Sequence, residues 1–131
     1  MIVLDTPTFA WLMLTPKQLS PAATSAIRAA LGSGGIAIAS VTVWELAVMV
    51  TRGRLVPNGM PEAWLAELLA RSGVVVKEIT PAIATLAAQF PEPFPGDPAD
   101  RLIAATARAE GIPLVTRDGR LRRSAAVHTI W

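Results

Sequence analysis

Short strand-like runs alternate with helix-patterned stretches along the whole chain, and most of the runs lead into an acid. Alternation of this kind builds a mostly parallel sheet covered by helices. Ile2-Val3-Leu4 ends at Asp5, and Ile36 to Ala39 leads through Ser40-Val41-Thr42-Val43-Trp44 to Glu45. Pro113-Leu114-Val115-Thr116-Arg117 ends at Asp118, while Asp97 and Asp100 open a helix-patterned stretch. The chain has 131 residues and no further aspartate. In an open parallel sheet the carboxyl ends of the strands face one crevice, so acids distant in sequence meet there. A shared anionic pocket is costly to fold unless a cation fills it.

The pattern divides into elements as follows. Strands are expected over Ile2–Asp5, Ile36–Ala39, Val74–Ile79, Ile112–Thr116 and Ala126–Ile130. Helices are expected over Thr8–Leu14, Pro21–Leu31, Thr42–Arg52, Pro61–Ser72, Thr80–Phe90 and Asp97–Glu110. Ser20-Pro21 is an N-cap and first-turn pair, and Gly111 is a C-terminal stop. The segment from Pro91 to Gly96 contains three prolines and reads as a stiff loop. Asp118-Gly119 reads as a turn. The expected architecture is an α/β/α sandwich in three layers with a mainly parallel sheet, formed by residues 1–131 as a single domain.

Size and composition bound the function. A chain of this length buries a core without disulfides, and it has no cysteine, which fits a reducing compartment. There is no basic leader, and the apolar run from Gly34 to Val50 carries Glu45, which is expensive in lipid. The expectation is a cytoplasmic protein without a membrane segment. The hydrophobic fraction, 52%, leaves room for an exposed apolar face that a protein partner covers. Net charge is only +2, yet ten of the twelve basic residues are arginine. Arg101, Arg117, Arg120, Arg122 and Arg123 lie next to the acids, where a polyanion must approach.

Each acid has a structural explanation on its own. Thr42 and Glu45 have capping-box spacing, Asp97 is an N-cap before Pro98, and Asp100 falls in a first turn. Asp5 is able to cap the first helix, and Asp118 to make a turn with Gly119. The joint placement at four separate junctions is what points to a site. Oxygen ligands without His or Cys select a hard cation, Mg²⁺ or Mn²⁺, over zinc. His128, the only histidine, has no local partner and reads as structural. Trp11, Trp44 and Trp64 are spaced as core or interface residues.

Four segments taken in order carry a resemblance. Val3-Leu4-Asp5-Thr6, Ser40-Val41-Thr42-Val43-Trp44-Glu45-Leu46, Asp97-Pro98-Ala99-Asp100-Arg101-Leu102-Ile103-Ala104-Ala105-Thr106-Ala107 and Leu114-Val115-Thr116-Arg117-Asp118 resemble the PIN-domain ribonucleases, and among them the VapC toxins of type II toxin–antitoxin systems. The resemblance implies a five-stranded sheet of order 3-2-1-4-5 and metal-dependent RNA cleavage. It implies Asp5, Glu45, Asp100 and Asp118 as ligands of Mg²⁺ or Mn²⁺, with Thr6 and Thr116 supporting them. For Asp97 it leaves two roles, a water-mediated metal contact or a plain helix cap. It implies a VapB-like antitoxin, seated along the Thr42–Ser72 helical hairpin, and a homodimer. Pro7 departs from the pattern, standing where relatives often have a polar residue.

Three other readings stay open on sequence alone. They are a PIN-fold RNA-processing nuclease outside toxin–antitoxin systems, a non-catalytic PIN-like RNA-binding module, and a phosphotransfer or receiver-type domain. The last usually needs a second acid beside the first-strand aspartate, and Leu4-Asp5-Thr6-Pro7 has none.

Overall fold

The computed structural model describes residues 1–131. Five strands, β1 (Ile2–Leu4), β2 (Ile36–Ala39), β3 (Val75–Lys77), β4 (Leu114–Val115) and β5 (Thr129–Ile130), form one sheet in the order β3-β2-β1-β4-β5. Every pairing is parallel. The expected order and direction both hold. The helices are α1 (Thr6–Leu14), α2 (Pro21–Leu31), α3 (Ser40–Thr51), α4 (Pro61–Ser72), α5 (Pro81–Gln89), α6 (Pro98–Glu110) and α7 (Gly119–Arg122). No helix is long and apolar enough to cross a membrane.

Strand alternation sorts the core into two layers. Val3, Ala37, Ala39 and Leu114 face one side, where they pack with Ile83 and Ala87 of α5 and with Ile103, Ala104 and Ala107 of α6. Ile2, Leu4, Ile36, Ile38 and Val115 face the other side, against Phe9 of α1, Ile27 of α2, Leu46 of α3 and Leu68 of α4. The first layer is rich in alanine on both sheet and helix, which lets α6 lie close against β1 and β2. Asp100, in the first turn of α6, is thereby brought to the strand ends.

Several elements differ from expectation at their edges. The strands expected over Val74–Ile79 and Ile112–Thr116 are pared to Val75–Lys77 and Leu114–Val115, and the one expected over Ala126–Ile130 keeps only its last two residues. α1 starts at Thr6, because Asp5 caps it by accepting from the Thr8 N–H at 2.9 Å. α3 starts at Ser40, so Thr42 lies inside the helix and the expected capping box does not form. The expected turn at Asp118-Gly119 is the start of a helix. The Asp118 side chain accepts from the Arg120 N–H at 2.8 Å and its carbonyl from the Arg122 N–H at 3.0 Å.

Candidate functional site

Asp5 stands at the end of the central strand, only 7% exposed. One carboxylate oxygen caps α1, and the other accepts from the Thr116 hydroxyl at 2.5 Å. Thr116, buried just past β4, also accepts the Asp118 N–H at 3.0 Å. Burial pushes the Asp5 pKa up, and the hydrogen bonds from Thr116 and Thr8 oppose that rise. No cation touches it.

Glu45, half-buried on α3, accepts from the Thr6 hydroxyl at 2.5 Å. Thr6 Oγ1 is also 3.0 Å from Thr42 Oγ1. Thr6 has one proton and directs it to the carboxylate, so Thr42 is the donor in that second contact. Thr42 is a member of the site that sequence reasoning missed, since capping-box spacing gave it a different job. Burial raises the Glu45 pKa, the Thr6 hydroxyl opposes it, and Asp97 and Asp5 raise it further.

Asp97 caps α6 by accepting from the Asp100 N–H at 3.1 Å, which supports the cap role. The Asp100 carboxylate has no such structural task. Burial first, then the charges of Asp97 and Asp118, push its pKa up to about 6. Asp118 behaves oppositely. Hydrogen bonds from Arg120 hold it below the usual carboxylate value. Arg120 Nη2 sits 2.8 Å from Asp118 Oδ2 and 3.3 Å from Asp100 Oδ2, bridging the two acids.

The four acids therefore sense one another from four separate elements. As they stand, no three lie together at ligating distance. Asp5, Glu45, Asp100 and Asp118 are the residues that would hold a divalent cation here. The donor set fits such an ion: it is all oxygen, partly buried and in net excess of negative charge.

The arginines divide. Arg101, expected to meet phosphate, is instead committed within the fold. Its Nε donates to the Pro95 carbonyl at 2.9 Å, and its Nη1 to those of Ala87 and Phe90 at 3.1 and 3.0 Å. It also lies over the Phe94 ring at 5.7 Å. The sequence offered no signal for this beyond a proline loop whose carbonyls need donors. Arg117 is exposed and lies over the Trp11 ring at 5.9 Å, and Trp11 in turn meets Trp131 at 5.8 Å. Arg120, Arg122 and Arg123 remain exposed on α7 and its C-cap.

The PIN domain family matches residues 2–127. This chain belongs to the PIN-domain family. It is 39% identical to Ribonuclease VapC22 of Mycobacterium tuberculosis over 132 aligned positions, covering 99% of this chain and 98% of that one. That likeness puts it in the VapC branch of the PIN family. Solved structures share the fold. VapBC2 from Rickettsia felis, bound to a DNA fragment from its promoter, superposes with a TM-score of 0.73 at 18% identity, covering 98% of this chain and 97% of that one. DNA-bound VapBC from Salmonella typhimurium does so with a TM-score of 0.71 at 21% identity, covering 98% and 95%.

Proposed function

We propose that this PIN-domain protein, acting as one domain over residues 1–131, is a divalent-metal-dependent endoribonuclease and the toxin of a VapBC-type toxin–antitoxin pair. The observation that carries the reading is that Asp5, Glu45, Asp100 and Asp118 influence one another across the carboxyl ends of the central strands, in a chain that aligns end to end with a VapC ribonuclease.

Those four acids would hold Mg²⁺ or Mn²⁺. When bound, such an ion would supply a water of lowered pKa and charge neutralisation at the phosphate. The chain does the positioning. The Thr8 N–H and the Thr116 hydroxyl fix both oxygens of Asp5, and Thr6, backed by Thr42, fixes Glu45. Arg120, exposed beside Asp100 and Asp118, would meet the RNA backbone beside Arg122 and Arg123. Arg117, beside Asp118, belongs to the same basic rim. Contacts of this kind position RNA without reading sequence.

A VapB-like antitoxin and a homodimer complete the proposal. On and just after α3, Trp44 is 64% exposed, Val56 85% and Met60 75%, an apolar surface suited to a protein partner. The decisive experiment combines expression alone, expression with the small neighbouring gene, and sequencing of RNA ends. Growth arrest relieved by the neighbour, with new RNA ends that vanish in Asp5→Asn, is the expected result. RNA cleavage without arrest would leave a nuclease outside toxin–antitoxin systems. RNA binding without cleavage would leave a non-catalytic module.

A further inference from the structure

A cleft of about 520 Å³ lies beside the acids, bounded by the proline loop Pro91–Pro95 on one wall and by Arg120, Arg123 and Ser124–Ala126 on the other. It is joined to the acid cluster through Arg120, whose guanidinium contacts Asp118 and Asp100. The volume lies within the roughly 300–1,000 Å³ that suits a small ligand.

The charges of the cleft are disposed unusually. Arg123 Nη1 packs so near Gly119 that a β-carbon there would come within 3.0 Å of it, which holds this charge against the residue after Asp118. Glu92 lies on the loop wall. Neither Glu92 nor Arg123 forms an ion pair, although both line the same space. An unpaired carboxylate and an unpaired guanidinium in a cleft also lined by prolines ask for a ligand with three parts. It needs a donor edge, a flat apolar body and an anionic group. A nucleotide whose base donates from its Watson–Crick edge has all three. Guanine offers a carboxylate two parallel N–H donors, adenine and cytosine offer an amino group, and uracil flanks its one donor with acceptors that a carboxylate repels. An acidic peptide would satisfy Arg123 and be repelled by Glu92.

We propose that this cleft is the subsite for a nucleotide adjoining the scissile phosphate, and that Glu92 makes it prefer guanine. The proposal rests on the nuclease reading for its place in the reaction. In it Arg123 holds a phosphate, the prolines cover the base, and Glu92 accepts from the base edge. Glu92 takes no part in the chemistry, so the subsite acts on choice of RNA and leaves the chemical step alone.

Two arms test it. In the first, wild-type protein in EDTA is titrated with the labelled ribonucleotides UUGUU and UUUUU. The guanine oligomer is expected to bind about five-fold tighter, the low end for a two-point base contact. That ratio falls to about one in Glu92→Gln, and Arg123→Ala weakens both oligomers. Equal affinities in the wild type overturn the subsite. So does a uniform tightening of both oligomers in Glu92→Gln, since Glu92 would then be only a repelling charge. In the second arm, a random RNA pool is cleaved with Mn²⁺ and its ends are sequenced. Guanine enriched at one position beside the cut, and that enrichment lost in Glu92→Gln, is expected. Identical profiles for the two proteins overturn the proposal. A guanine binding ratio without any cleavage would sink the nuclease reading and keep the subsite.

Discussion

Asp5 and Asp118 follow adjacent parallel strands and share Thr116, yet the fold treats them in opposite ways. Asp5 is buried, held by an amide and a hydroxyl, and its pKa is driven up by burial. Asp118 is half-exposed, held by a guanidinium, and its pKa is driven down. One carboxylate is thus fixed by neutral donors that leave its charge uncompensated, and the other is compensated by an exposed guanidinium. The difference teaches where an incoming metal does its work. At Asp5 a bound cation would supply a missing counter-charge; at Asp118 it would have to compete with the guanidinium of Arg120.

The largest expected effect follows from removing the uncompensated charge. Asp5→Asn should lower RNA cleavage roughly a thousand-fold or more, because a metal ligand contributes several kcal/mol of transition-state stabilisation. Its melting temperature in EDTA should equal or exceed that of the wild type, since a repelled buried charge is gone. A clear drop in EDTA stability, with activity kept, would reduce Asp5 to a helix cap.

Thr116→Val breaks the link between the two acids while keeping shape. It strips Asp5 of one donor and the Asp118 N–H of its acceptor. The expected cost is about 10- to 100-fold in activity, as for a residue that orients a metal ligand. Stability should fall by about 1–3 kcal/mol for the buried groups left unpaired. Urea melts with and without Mn²⁺, beside cleavage rates, measure both.

Arg120→Gln sharpens the contrast from the other side. Without its cation the Asp118 site should take Mn²⁺ at lower concentration, read as the midpoint of the metal-induced rise in melting temperature. RNA binding should weaken, and its salt slope should flatten by about 0.7 for one lost single-strand phosphate contact. An unchanged metal midpoint would mean that Arg120 does not compete.

The smallest effect is on pH. Asp100 titrates higher in the folded protein, at about 6, than its ordinary 3.8. The folded state therefore holds this proton more tightly than the unfolded one. Metal-free stability should decline as pH rises from about 4 through about 6, by on the order of 1 kcal/mol after solvent screening. Asp100→Asn should flatten that slope. Asp118, with its lowered pKa, contributes in the opposite direction. Its stabilisation is present above pH 4 and is lost only in stronger acid.

The fold was almost entirely legible in the sequence, because Ile2–Leu4, Ile36–Ala39 and Leu114–Val115 declare themselves as apolar runs between well-marked helix ends. The placement of the acids was legible for the same reason: they fall where the pattern changes. What joins them was not. The Thr6–Glu45 and Thr116–Asp5 bonds span 39 and 111 residues, and no local pattern encodes a contact between strand ends so far apart. Asp118-Gly119 is compatible with a turn or a helix start, and only the capping bonds to Arg120 and Arg122 distinguish them. Arg101 misled because adjacency to Asp100 says nothing of direction. Successive helix positions point about 100° apart, so one looks to the site and the next to the loop.

Arg101 clasps the proline loop to the very helix that carries Asp100. A groove wall and a reactive acid are thereby machined into one part, as the fence and the blade are on a bench saw. An RNA strand resting against that wall would be cut at a set length from it. The fidelity of the cleavage position would then depend on a side chain that touches neither the RNA nor the metal, and wear at that joint would show as ragged ends long before it showed as slow turnover.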